Sequence, residues 1–143
     1  MTIAETRTWP ARMTQLSEAT AFVESFCTAH ALAADDALHL VLCVEELFTN
    51  TVVHGHGGDC DAPVRIALRA APRHVELTYE DHAPPFDPVE HLAGAAAELD
   101  ADREERPVGG VGIALVLRTA SRARYVREGD CNRLLLTIAR APR

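Results

Sequence analysis

Glu46, Asn50 and His54 follow one another at four-residue steps within the segment Leu38 to His54. On an α-helix that spacing puts all three on one face, about one turn apart. His39 joins them, while Leu40, Val41, Val44, Leu47, Phe48 and Val52 gather on the opposite arc, so the polar stripe points away from the core. Taken alone, such a stripe reads as a merely solvated face, and what gives it weight is the two segments that follow.

Two further segments carry chemistry. Glu80-Asp81-His82-Ala83-Pro84-Pro85-Phe86-Asp87 follows a strand pattern directly, which places Asp81 at a strand end, on the rim of any pocket there. An ionised carboxylate only accepts hydrogen bonds, so it would select the exocyclic amine of adenine and repel the carbonyl of guanine; an acidic, proline-rich turn is the competing reading. Val108-Gly109-Gly110-Val111-Gly112-Ile113-Ala114-Leu115 opens a helix with glycines. Bare backbone amides at a helix N-terminus suit phosphate. Leu115 stands where a dinucleotide-binding turn would need its third glycine, and no glycine cluster precedes Lys-Ser or Lys-Thr, which excludes a P-loop. His54-Gly55-His56 with Cys60 could suggest a transition-metal site, but the spacing is unspecific and a fourth ligand is missing. His54 reads rather as a helix cap, and Cys27, Cys43 and Cys131 as packing residues.

These residues need elements to hold them. A strand is expected around Glu5 to Trp9, then a helix capped by Thr14 or Ser17 and carrying Leu16, Ala19, Phe22, Val23 and Phe26 at helical spacing. Asp35 and Asp36 open a second helix, which runs through His54 until Gly55, Gly57 and Gly58 stop it. Val64 to Leu68 and Val75 to Tyr79 alternate as a hairpin around Pro72-Arg73. An Ala-rich, acidic stretch over 92–108 reads as a mobile lid. A third helix from Val111 and strands around Ala123 to Arg127 and Arg133 to Ala139 complete the chain. The expectation is one domain over 1–143, an α/β two-layer sandwich whose mixed, mostly antiparallel sheet is covered on one face by helices.

Composition narrows the function classes. The 143 residues are 48% hydrophobic and 24% charged, sufficient for a core, and no apolar run approaches the roughly 20 residues of a membrane span. The N-terminus lacks the basic-then-apolar order of a secretion signal, so a cytoplasmic location is expected. A net charge of −7 argues against a general nucleic-acid binder and favours a protein partner or a metal-chelated nucleotide. Four scattered cysteines with no C-x-x-C pair suggest neither a disulfide framework nor a zinc ribbon.

The order of these motifs, helix with Glu and Asn, strand-end Asp, lid, glycine-rich helix, resembles the GHKL ATPases, which include gyrase, Hsp90, MutL and sensor histidine kinases and share the Bergerat ATP-binding fold. Glu45-Glu46-Leu47-Phe48-Thr49-Asn50-Thr51-Val52-Val53-His54-Gly55 is similar to the N-box of the anti-sigma-factor serine kinases. The resemblance implies ATP and Mg²⁺ as cofactors. It implies that Asn50 holds Mg²⁺, Glu46 is the general base, Asp81 binds adenine, Gly110 and Gly112 cradle phosphates, Arg106 reaches the γ-phosphate from the lid, and Thr137 supports the adenine through water. Ala83, counted with the nucleotide-binding residues, and Pro85 stand where that family usually has glycine; the proline fixes the backbone and removes an amide. By the same resemblance the partners are a sigma factor and an anti-sigma-factor antagonist, and the assembly is a homodimer. A nucleotide-holding regulatory module without phosphotransfer, or a free-standing histidine-kinase-type ATPase domain, are the alternatives.

Overall fold

Side chains that turn alternately inward and outward build the middle of the sheet, and two amphipathic helices ahead of its second strand cover one side of it. The computed structural model describes residues 4–89 and 110–141. The strands are β1 (Glu5–Pro10), β2 (Pro63–Ala70), β3 (His74–Asp81), β4 (Arg122–Glu128) and β5 (Cys131–Ala139), and the helices α1 (Leu16–Ala29), α2 (Ala34–Thr49) and α3 (Gly110–Thr119).

The strands lie in the order β1-β2-β3-β5-β4 and every neighbouring pair is antiparallel. The sheet is thus antiparallel throughout rather than mixed. The chain returns antiparallel from β1 to β2 through the two helices, while tight hairpins join β2 to β3 and β4 to β5. Gly129, at φ 60°, allows the second of those turns.

The inward face carries Val64, Ile66 and Leu68 of β2, Val75, Leu77 and Tyr79 of β3, and Leu134, Leu136 and Ile138 of β5. Val23 and Phe26 of α1 and Leu40, Val44, Leu47 and Phe48 of α2 are buried in the same core. Each such side chain contributes about 1.5–3 kcal/mol. The other face of the sheet is charged, with Glu80 between Arg65 at 2.9 Å and Arg133 at 2.6 Å. Among the described residues no helix is long and apolar enough to cross a membrane.

Two local expectations give way. Neither Thr14 nor Ser17 caps α1: a 3-10 turn, Met13–Gln15, leads into the helix, and Gln15 occupies the cap position without a side-chain bond. The second helix does not run to His54 in one form, because Asn50–Gly55 winds as a π-helix. Its wider turn starts at Asn50 itself and closes with the His56 amide donating to Thr51 O at 2.9 Å. His54 is exposed and His56, not His54, is the C-cap residue. The loop that follows is stitched to the end of β1 by the Met13 amide on Asp59 Oδ1 (3.0 Å) and by Arg12 on Asp61 (2.8 Å).

Candidate nucleotide site

The inward apolar run of β3, Val75-Leu77-Tyr79, continues to Asp81, and that of β5, Leu134-Leu136-Ile138, begins with Asn132. Asp81 and Asn132 are register partners. Both point at the helical layer where the core ends, and both are buried, Asp81 to 9% exposure and Asn132 to 8%. Burying a carboxylate is costly unless hydrogen bonds replace its water. Here Asn132 Nδ2 donates to Asp81 Oδ1 at 2.8 Å, the Ala83 amide to the same oxygen at 3.3 Å, and Thr51 Oγ1 to Asp81 Oδ2 at 2.8 Å.

Thr51, 2% exposed, reaches the carboxylate because it falls four residues after Leu47 on the buried arc of α2 and its π extension. Its hydroxyl also lies 2.7 Å from Tyr79 Oη and 3.0 Å from Leu47 O. Burial, reinforced by the charge of Asp81, raises the Tyr79 pKa well above its ordinary value, so the phenol keeps its proton. Tyr79 therefore donates to Thr51, whose single proton is drawn to the charged acceptor. A carboxylate offers about four acceptor sites. Three donors use two sites on Oδ1 and one on Oδ2. The remaining site on Oδ2 fits an exocyclic amine such as that of adenine.

The turn after Asp81 is clamped from β5 and β4. Ala83 O accepts from Asn132 Nδ2 and Arg127 Nη1, both at 3.0 Å, and Pro84 O accepts from Asn132 at 3.2 Å. Asn132 Oδ1 in turn accepts from Arg127 at 3.0 Å and from the Tyr125 hydroxyl. Ala83 is buried, and its methyl faces Gly55: a Cβ built there would sit 2.8 Å from Ala83 Cβ. The methyl at 83 is therefore accommodated by the glycine that ends the helix.

Glu46 and Asn50 share the polar face as expected, Glu46 exposed and Asn50 half-buried. The first turn of α3 comes up against Glu46, for a Cβ at Gly112 would lie 2.6 Å from its Cδ. The other end of α3 lies beside Cys43, where Thr119 Oγ1 is 4.0 Å from the thiol. The glycine-rich N-terminus of α3 is thus at the Asn50 end of α2. Among the described residues no three His, Cys, Asp or Glu side chains form a metal cage. The amide oxygen of Asn50 is a donor that suits Mg²⁺, which keeps waters and phosphate oxygens and needs only an amide or carboxylate from the protein.

Thr137 does not join the site. It lies five residues along β5 from Asn132, roughly 17 Å away, opposite Glu76 and Arg122 in register. Its odd position turns it to the outer face, and Asn132 meets Asp81 in its place. Arg106 and the whole of the expected lid, 92–108, lie outside the described residues. Sequence reasoning missed Thr51, Asn132, Tyr125 and Arg127. The signal for the first two was a polar residue in an apolar phase: Thr51 after Leu40, Val44 and Leu47, and Asn132 before Leu134, Leu136 and Ile138.

The cysteines are free, and burial pushes Cys27 and Cys43 up to about 11.

The fold is similar to a chain in the crystal structure of the SiaB-SiaC complex from Pseudomonas aeruginosa, with a TM-score of 0.65 and 16% identity over 94% of this chain and 88% of that one. No curated protein matches the sequence significantly. The family model of the histidine kinase-like ATPase domain matches residues 9–138. With a buried strand-end carboxylate, the Glu46-Asn50 face and a glycine-opened helix in that family's order, the chain belongs to the histidine kinase-like ATPase domains.

Proposed function

We propose that this protein is a Mg²⁺-ATP-dependent serine/threonine kinase and anti-sigma factor. It phosphorylates an anti-sigma-factor antagonist, binds a sigma factor in the alternative partner state, and works in the cytoplasm as a homodimer of single-domain chains. The observation that carries the reading is the placement of Glu46, exposed one turn before Asn50 and against the first turn of α3, beyond the anchored Asp81. The likeness to a chain of a two-protein complex supports a protein partner.

ATP supplies the transferable phosphoryl group and Mg²⁺ offsets its charge. Asp81 selects the base through its free Oδ2 site, held by Thr51 and Asn132. Asn50 provides an amide oxygen for the metal, and the amides of Gly110 and Gly112 face the phosphates. Glu46 accepts the proton of an incoming serine or threonine hydroxyl, and its exposure lets a folded partner reach it.

Calorimetry with ATP and GTP, and phosphotransfer to a co-encoded antagonist, test this reading. Glu46→Gln is expected to leave ATP affinity within a few-fold while transfer falls by about 10²–10⁴-fold. Asn50→Ala should lose the Mg²⁺-dependent part of binding, and Asp81→Asn should weaken ATP far more than Asp87→Asn. Equal affinity for ATP and GTP would overturn the site assignment. Binding of ATP and a sigma factor without any phosphotransfer would favour the regulatory-module alternative, and a monomer in light scattering would remove the dimer.

A further inference from the structure

The three atoms that a Cβ at Gly112 would meet first all belong to Glu46. What fills the space of its missing side chain is the carboxyl group of Glu46: an added Cβ would lie 2.6 Å from Cδ, 3.2 Å from Oε1 and nearer still to Oε2. Contacts under 3.0 Å are ones that real Cβ atoms essentially never make. We infer that Gly112 is the positioning residue of Glu46, a seat on the first turn of α3 that fixes where the proton-accepting carboxylate stands. This deepens the kinase reading and rests on it for the role of Glu46.

The chemistry of the contact explains why the effect is positional. Glu46 starts on an exposed face of α2, and a glutamate there has three rotatable bonds and loses rotamer freedom only if something holds it. A glycine in the first turn lets the carboxylate lie directly on the backbone of α3, where the positive end of the helix dipole favours negative charge. A methyl group at 112 meets the far end of a flexible side chain, so it displaces the carboxylate and leaves the fold intact. Alanine also has the higher helix propensity. The consequence is a variant that folds and has its base in the wrong place, and a 1 Å misplacement of a reacting group can cost on the order of 10²-fold.

The test is a cycle of Gly112→Ala with Glu46. Gly112→Ala should melt within about 4 °C of the wild type, since Gly to Ala changes helix stability only modestly, and its kcat for phosphotransfer should fall about 10²-fold. In the Glu46→Gln background the same substitution should change kcat less than threefold. Glu46→Asp, whose carboxylate is withdrawn by one methylene, should restore part of the loss when combined with Gly112→Ala. A loss that multiplies fully with Glu46→Gln would overturn the inference, because Gly112 would then act on the phosphates alone. If the wild-type protein transfers no phosphate, the kinase reading fails, and the carbon-13 resonance of the Glu46 carboxyl in nucleotide-free protein still decides the contact. It should shift on Gly112→Ala, and an unchanged resonance refutes the seat.

Discussion

Asn132→Ala removes the donor to Asp81 Oδ1 at 2.8 Å together with the bonds to Ala83 O and Pro84 O, and takes the acceptor from Tyr125. A hydrogen bond to a charged group contributes about 1.5–3 kcal/mol, and an abandoned buried partner costs about 1–3 kcal/mol. Water entering the truncated site recovers some of this, so the expected loss of stability is about 2–4 kcal/mol, a fall in Tm of roughly 6–15 °C. The nucleotide effect is separate. Asp81 keeps Thr51 on Oδ2 and the Ala83 amide on Oδ1 but loses its shortest orienting bond on that side. An adenine amine hydrogen-bonded to a misaligned carboxylate should bind about 1–2 kcal/mol more weakly, roughly 5–30-fold. Thr137→Ala, at the far end of β5 on the outer face, should stay within twofold. Calorimetry on folded samples, with circular dichroism to establish folding, measures both. Wild-type ATP affinity in folded Asn132→Ala, or a larger loss in Thr137→Ala, would refute the assignment of Asn132.

Gly55→Ala places a methyl 2.8 Å from Ala83 Cβ, and overpacking of that kind costs about 1–3 kcal/mol. Ala83→Gly in the same chain should recover most of the lost Tm, and no recovery would mean that another contact excludes a side chain at 55. Burial works against the Glu80 charge, but hydrogen bonds from Arg133 and Arg65 outweigh it and hold the carboxyl below its ordinary value of 4.5. Its folded-state pKa is depressed, so its contribution is present above about pH 4.5 and is lost as pH falls through the folded value. The stability difference between wild type and Glu80→Gln should therefore shrink on acidification below pH 4.5, and urea melts at pH 7 and pH 3.5 read it. With Cys27 and Cys43 raised to about 11 by burial, neither thiol should react with a soluble disulfide reagent at pH 8 until the protein unfolds. Mass spectrometry of the labelled positions checks this.

Alternation and helical spacing were enough to place the five strands and three α-helices of the described residues, because a side chain's face is a property of its position in its own element. They also put Glu46 and Asn50 on one exposed stripe and Asp81 at a strand end. Local rules failed where the outcome depended on partners far along the chain. Thr14 and Ser17 have the chemistry of caps, yet the chain enters α1 through a 3-10 turn. Asn50–Gly55 carries no local mark of a π-helix. Thr137 and Asn132 lie on the same strand with opposite phase, and the register of β5 against β3 sets Asn132 opposite Asp81. The sequence by itself determined the order of motifs, the apolar faces and the chemistry of the carboxylates, since these follow from residue type and period. The tertiary structure alone decided the Thr51-Asp81-Asn132 group, the fit of Gly55 to Ala83 and the seat of Glu46 on Gly112. Each of these is a contact between residues 28 to 66 positions apart, and such distances in sequence are closed only by strand register and helix packing.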